Sequence, residues 1–455
     1  MASNSWIQIF RARWVQAERG IVEDGGVVVI HDPAHEPRIL TIFDPHDSEA
    51  PTTDDLIKAA ESFAAEHWAA IHAHGPKRFE RLPDQCLGDV VLLPGMVNCH
   101  THLEFSDCRE PLGETGSSFA KWLSAVIAHR ARAVAAVEED FAVAKSATCD
   151  QGWLEMLEGG TVAAGEILSR PVSVRRGEDS HGQAAPELFG AIFHEVLGLD
   201  PERAHASWDW ALSCLAEPRN KRVRVGLSPH APYSTSTWLY RQCAEHGRRH
   251  GLPVATHLAE SREELQLLTD RSGPLVDFLA EMGVWRPERI EARSIREVLA
   301  LLSDVDRLLL VHGNYLERDD WRWLRSQNPN ATIVYCPQTH AYFQHERHPW
   351  VEMMADGVPV ALGTDSRASS SSLSLWEDLR VVRERYPEQD PARLWQMATI
   401  HGARALGLEQ DLGSLGNGKL ARFCVADLGA AVPAFSWEAL LSSTTKISGR
   451  LVPGI

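Results

Sequence analysis

The chain has 455 residues, with 45 basic and 62 acidic side chains and a formal charge of -17. That length can bury a large core, enough for one big barrel plus a smaller unit, and the acidic balance, with no basic block or stripe, excludes a nucleic-acid surface. No apolar run approaches the ~18 residues of a membrane span, the opening Met1 to Trp6 lacks the basic-then-apolar layout of a secretory leader, and eight scattered cysteines without a Cys-X-X-Cys pair read as reduced thiols; the expectation is a soluble cytoplasmic protein with a small-molecule partner.

Residues 1–93 read as a β-rich segment. Trp6-Ile7-Gln8-Ile9-Phe10 alternates, Gly26-Val27-Val28-Val29-Ile30 follows a Gly-Gly turn, and Ile39-Leu40-Thr41-Ile42-Phe43 is a third strand candidate. Asp54 to Ala73 is helical in composition and is read as an insertion.

Residues 94–405 repeat strand, loop and helix. Strand candidates are 90–97, 161–167, 188–196, 223–227, 254–257, 308–311, 332–335 and 358–362. Helical stretches between them include 119–132, 237–250, 262–273 and 319–327. Eight strands separated by helices over roughly 300 residues predict a (β/α)8 TIM-like barrel of the α/β class. Ser169 to Pro186 reads as a loop, and 285–300, rich in Arg and Glu, as an extra surface helix. Residues 406–455 turn β-like again through Gly413-Ser414-Leu415 and Phe423-Cys424-Val425-Ala426-Asp427, so both chain ends are expected to meet in one small composite β-sandwich.

The chemistry gathers at the ends of the barrel strands, the active-site face of such a fold. His100-Thr101-His102 follows the first apolar run, and side chains at i and i+2 of a strand share a face. An isolated His-X-His means little among 21 histidines. Here His257, His312 and Asp365 each lie just past an apolar run of their own, and His230 follows the fourth strand. Three histidines and a carboxylate suit one divalent ion, zinc first and Fe2+ as the alternative, with room left for water. Such an ion lowers the pKa of water from ~16 toward ~7. Glu260, three residues after His257, is then placed to carry protons without ligating. His312 is either a ligand or a hydrogen-bonding partner of water and substrate. His230 either contacts substrate or caps its loop. The histidines at 340, 345 and 348 either line the pocket or sit on a solvated loop.

These residues resemble the amidohydrolase superfamily, in its cytosine/adenosine-type aminohydrolase branch. The matching motifs are Pro94-Gly95-Met96-Val97-Asn98-Cys99-His100-Thr101-His102, Ser228-Pro229-His230-Ala231-Pro232-Tyr233, His257-Leu258-Ala259-Glu260-Ser261, Val311-His312-Gly313, Tyr335-Cys336-Pro337 and Gly363-Thr364-Asp365-Ser366. The resemblance covers residues 90 to about 430. It implies metal ligation by His100, His102, His257 and Asp365, proton transfer by Glu260 with His312 and Asp365 as catalytic partners, and substrate contact by His230. It also implies hydrolytic deamination of a purine-like amino-heterocycle with release of ammonia, and a homodimer. Members with two metals carry a Lys at the end of strand four; Arg222 to Ser228 holds none, which favours one metal. Relatives usually have Ser-Asn after the Cys-Pro of strand seven, whereas this chain has Gln338-Thr339-His340, so His340 joins the expected substrate contacts and substrate identity stays open. The late Gly-Lys-X-Ala-Asp motif ends in Arg422 instead of Asp. The rival readings are hydrolysis of an amide, cyclic amide or aryl halide at the same site, and a non-catalytic barrel scaffold, which the intact ligand set with Glu260 argues against.

Overall fold

The computed structural model describes residues 5–48, 50–68, 78–135, 141–169, 189–217, 223–429, 432–442 and 444–451. Its strands in chain order are β1 (Trp6–Arg11), β2 (Trp14–Ala17), β3 (Gly20–Glu23), β4 (Gly26–Asp32), β5 (His35–Phe43), β6 (Glu80–Arg81), β7 (Gln85–Cys86) and β8 (Val91–Pro94). There follow β9 (Met96–Thr101), β10 (Thr161–Leu168), β11 (Gly190–Val196), β12 (Val223–Pro229), β13 (Val254–Leu258), β14 (Leu308–His312), β15 (Thr332–Tyr335) and β16 (Val360–Leu362), and finally β17 (Arg422–Asp427) and β18 (Lys446–Leu451). Among the described residues no helix is long and apolar enough to cross a membrane.

Strands β9 to β16 form one parallel eight-stranded sheet in sequential order, with helices between them. Strands β9, β10 and β13 to β16 are buried at every position, because the barrel interior covers one face and the helices the other. That double burial is why they read as continuous apolar runs. The last strand returns to the first: the carbonyl of His100 accepts from the backbone N–H of Thr364 (3.1 Å) and of Asp365 (3.0 Å), and Thr101 bridges Asp365. Asn98 locks this seam, donating from Nδ2 to Thr364 Oγ1 at 2.7 Å.

The structure divides the first apolar run, read as one strand over 90–97. Val91–Pro94 pairs with β17 and β2, outside the barrel, while Met96–Thr101 pairs with β10. Gly95 sits at the break, where a Cβ would lie 2.4 Å from Val162. The surface helix read over 285–300 is also corrected. A 3-10 turn at Pro287–Arg289 precedes a helix at Ile295–Leu302, whose Ile295, Val298, Leu299 and Leu302 are buried. Their i, i+3, i+4, i+7 spacing is that of a packed amphipathic helix. The loop read over 169–186 falls, apart from Ser169, outside the described residues.

Two five-stranded sheets flank the barrel. One is β5-β4-β1-β6, with β7 beside β1, and the other is β18-β17-β8-β2-β3, drawn from both chain ends. Phe10, Val27 and Val29 of the first meet Val15, Leu92 and Phe423 of the second in one cluster. Ile7, Ile9, Val28 and Ile30 point the other way, onto Leu56, Ala60 and Ala64 of the helix Thr53–His67. That helix therefore covers the outer face of a sheet; its start is set by a reciprocal capping box between Thr52 and Asp55. Strand β18 was not read from sequence. Its Lys-Ile-Ser-Gly-Arg-Leu run carries no alternation strong enough to announce a strand, and Gly449 is needed because a Cβ there would lie 2.0 Å from the Leu157 carbonyl oxygen.

Deleting residues 409–455 removes β17 and β18 and leaves β8 paired only with β2. The expected product is insoluble, read from the soluble fraction after expression and from circular dichroism. A soluble truncation with native-like spectra would mean that the two ends fold independently.

Candidate active site

The histidines reach one place because consecutive barrel strands end there. His100 is in β9 and His102 one residue past it. His257 is in β13, His312 closes β14, and Asp365 lies three residues beyond β16. Three backbone positions around them adopt left-handed conformations without glycine: Ala259 (φ 52°), His312 (φ 70°) and Asp365 (φ 57°). Such residues cost roughly 1–3 kcal/mol each and persist where the surroundings force them, often at functional sites.

Nε2 of His257 lies 3.2 Å from Nε2 of His100 and 3.3 Å from Nε2 of His102. Asp365 Oδ1 is 3.6 Å and 3.8 Å from the Nε2 atoms of His100 and His102. His257 Nδ1 donates to the His230 carbonyl at 3.0 Å, so neutral His257 presents only a lone pair at Nε2. One lone pair serves two facing imidazoles poorly, whereas a divalent cation accepts from all of them. The spacing agrees: nitrogens bound tetrahedrally at ~2.0–2.1 Å from zinc stand about 3.3 Å apart. His100, His102, His257 and Asp365 can thus hold one such ion, and His312 is near enough to His100 and His257 to be a further candidate donor.

The electrostatics favour lone pairs over protons. Burial first, and the charge of His100 second, lower His257 to about 3 and hold His102 well below the usual histidine range. Burial also lowers His312. Glu260 behaves oppositely. Burial first, then the Asp365 and Glu264 carboxylates, push its carboxyl well above the usual range, and its Oε1 lies 3.4 Å from His312 Nε2. The carboxyl is thereby suited to hold a proton beside the cation site.

Several supporting residues escaped the sequence reading. Glu264 accepts from the backbone N–H of Ala259 and of Glu260, both at 2.9 Å, and so fixes the turn that aims Glu260. Its signal was the Ser261-X-X-Glu264 pattern of a helix start; Ser261 Oγ does accept from Glu264 N–H at 3.2 Å, but the carboxylate reaches past the cap into the site. Asn314 Nδ2 donates to the Glu260 carbonyl at 2.9 Å, and Ser369 Oγ donates to Asp365 Oδ2 at 3.2 Å. Neither pairing has a sequence signal: the first joins the turns after β13 and β14, and the second is a contact within the loop after β16 that no motif announces.

A cavity of about 760 Å³ opens from this cluster, with His102, His230, His257, Glu260, His312 and Asp365 on its wall. His230 stands one residue past β12, its Nδ1 2.6 Å from Ser234 Oγ and its Nε2 4.0 Å from Glu195 Oε1. His340, expected beside substrate, is not on that wall. It is buried with its Nδ1 2.9 Å from Arg385 Nη1, and its ring packs near Tyr335 and His348. The run after β15 is helical, Pro337–Tyr342, and turns His340 into the core. His345 and His348 are likewise absent from the cavity wall: His348 is fully buried and donates from Nε2 to the His312 carbonyl at 2.8 Å, while half-buried His345 sits on the loop before it, its Nδ1 3.0 Å from Tyr315 Oη.

Glu264→Ala leaves two buried N–H groups without their acceptor. The expected loss is roughly 2–4 kcal/mol of stability, read from the denaturant midpoint, with a fall in turnover because the Glu260 turn loosens. A midpoint unchanged from wild type would show that Glu264 does not hold this turn.

The amidohydrolase family model matches residues 91–452. The aminodeoxyfutalosine deaminase of Deinococcus radiodurans is 29% identical over 334 residues, which cover 70% of this chain and 73% of that protein. The fold is similar to that of Helicobacter pylori aminofutalosine deaminase in complex with methylthio-coformycin, with a TM-score of 0.70, 22% identity and coverage of 96% and 95% of the two chains. It is also similar to a mutant of atrazine chlorohydrolase from Arthrobacter aurescens complexed with zinc and atraton, with a TM-score of 0.69, 17% identity and coverage of 96% and 91%. With its barrel, strands β8, β17 and β18 and the convergent His and Asp residues inside that match, this chain belongs to the amidohydrolase family.

Proposed function

We propose that this hydrolase removes the amino group from a purine-like N-heterocycle, leaving an oxo group on the ring and releasing ammonia. The observation that carries the reading is the convergence of His257 on His100 and His102, and of Asp365 on the same two histidines, beside the Glu260 carboxyl, 3.4 Å from His312 and pushed above its usual range by burial. The similarity to an aminodeoxyfutalosine deaminase over most of both chains supports it. In this reading His100, His102, His257 and Asp365 hold one divalent ion, zinc by the nitrogen-rich donor set. When bound, that ion acts as a Lewis acid that makes water nucleophilic near neutral pH.

The chain's own residues do the rest. Asp365, held by Ser369, and His312, with its carbonyl held by His348, orient the attacking water. Glu260 gives its proton to the ring nitrogen next to the carbon under attack, which turns that carbon into a better electrophile. It then takes up one proton from the attacking water and passes it to the departing amine, and takes up the second as the new hydroxyl becomes the oxo group, which restores its own carboxyl. His230 faces the substrate from the wall of the cavity. A homodimer in the cytoplasm is the accompanying proposal; sedimentation at working concentration reads the first part.

A panel of adenine nucleosides, guanine and aminopyrimidines, followed by ammonia release and ultraviolet absorbance, tests the activity. Oxo product and ammonia are expected in equal amounts from at least one member. Silence across the panel, with turnover of amides, cyclic ureas or aryl halides, would replace this reading by hydrolysis of those bonds at the same residues.

Metal analysis of the purified protein is expected to find about one equivalent per chain, and His100→Ala with His257→Ala together to lose it. Two equivalents in the wild type, or full retention in the double variant, would remove the assignment. Glu260→Gln is expected to keep its metal and lose roughly 10²–10⁴-fold in kcat; activity within a few-fold of wild type would exclude it from proton transfer.

A further inference from the structure

Among the described residues three large apolar side chains stand exposed: Ile127 (39%), Leu197 (40%) and Met282 (45%). They come from segments far apart in sequence, yet all three line the active-site cavity. Scattered exposed apolar residues need no explanation, but a set confined to the rim of one cavity marks a binding surface.

The walls below the rim continue the pattern. The helix Phe119–Ala135 turns Phe119, Trp122, Leu123, Val126 and Ile127 toward the cavity. Their spacing of three, one, three and one is the apolar stripe with which a helix normally meets a core; its outer end, at Ile127, meets the opening instead. Phe278, Leu279 and Met282, on and just beyond the helix Pro274–Glu281, form a facing wall. Leu197 and Trp210 form a third. On the deep wall Arg130 Nη2 donates to Glu104 Oε1 at 2.6 Å and to Ser169 Oγ at 3.3 Å, and the buried Glu195 has its Oε1 4.0 Å from His230 Nε2. Arg203 is exposed, at the start of the helix that Asp200 caps. The cavity therefore has a polar floor and deep wall, where Glu260, His312, Asp365, Arg130 and Glu195 gather, and a mostly apolar passage leading from them to the rim.

A ring whose amino-bearing carbon faces that floor must turn its opposite side toward the passage. A bare ring would leave most of the 760 Å³ to water held against apolar walls. We infer that the substrate is an amino-heterocycle carrying an extended, uncharged apolar substituent, which runs along the helix Phe119–Ala135 and ends at the rim formed by Ile127, Leu197 and Met282. The inference rests on the deaminase reading for the ring and on the passage for the substituent.

Two homologous series test it with the purified holoenzyme: 9-alkyladenines and adenosine 5′-thioethers, each with chains from methyl to octyl, plus one chain of octyl length ending in a carboxylate. Turnover is followed by ammonia release. Binding of the matching oxo compounds, which carry no amino group to lose, is followed by calorimetry. In at least one series kcat/KM and product affinity are expected to rise about three- to fourfold per added methylene until the chain reaches the rim, with the carboxylate-ended chain inferior to the alkyl chain of equal length. Met282→Ser and Ile127→Ser are expected to flatten this dependence, and Ile127→Leu to preserve it; both positions are at the surface, so folding is not at stake. Turnover that is flat with chain length in both series, or that favours the carboxylate, overturns the inference and leaves deamination standing. A rise in product affinity with no turnover of any member supports the apolar passage and overturns the deaminase reading instead. Flat affinity with no turnover overturns both.

Discussion

The seam where β16 meets β9 is the constraint on which the site depends. The His100 carbonyl takes the backbone N–H groups of both Thr364 and Asp365. Two proposed cation donors, His100 from the first strand and Asp365 from just beyond the last, are thereby held together by the same hydrogen bonds that close the barrel. Asp365 adopts a left-handed backbone to do so. A barrel that failed to close would lose this pairing, so the stability of the fold and the geometry of the site share one set of bonds.

The strained turns are held in place by neighbours that do no chemistry. Glu264 and Asn314 hold the backbone around Glu260, and His348 holds the carbonyl of His312. Each is a buried polar side chain tied to this backbone by specific hydrogen bonds, and in a low-dielectric interior losing such a bond is costly. The same burial that makes these contacts expensive to lose lowers His102, His257 and His312 and pushes the Glu260 carboxyl up. One physical cause, exclusion of water from the strand ends, acts on both the proposed cation donors and the proposed proton carrier.

Two kinds of wall meet in the cavity. Its floor comes from strand ends, whose positions the barrel dictates. Its passage comes from helices and turns after β9, β11 and β13, which the barrel leaves free to vary. Chemistry and substrate choice are thus carried by different parts of the chain, and the apolar stripe from Phe119 to Ile127 belongs to the second.

The sequence by itself determined seven of the eight barrel strands to within two residues, and overlapped the first, because burial on both faces leaves a clear apolar run. It also pointed to the proposed cation donors and Glu260, because each lies at or just past the end of such a run: His257 inside β13 and Glu260 two residues past it, for instance. Offsets along the chain carry that information, and they are visible without a structure. What depends on contacts across the chain was not visible. The division of 90–97 at Gly95 is decided by Val162, the pairing of β18 by β17 and the Leu157 carbonyl, and the roles of Glu264, Asn314 and Ser369 by the loops they reach. His340 is the sharpest case. Its position after β15 resembles that of a substrate contact, but the helix Pro337–Tyr342 rotates it toward Arg385 and away from the cavity. Only the tertiary structure decided that, because the direction of a side chain on a short helix is set by the partners that satisfy it and not by its distance from the strand.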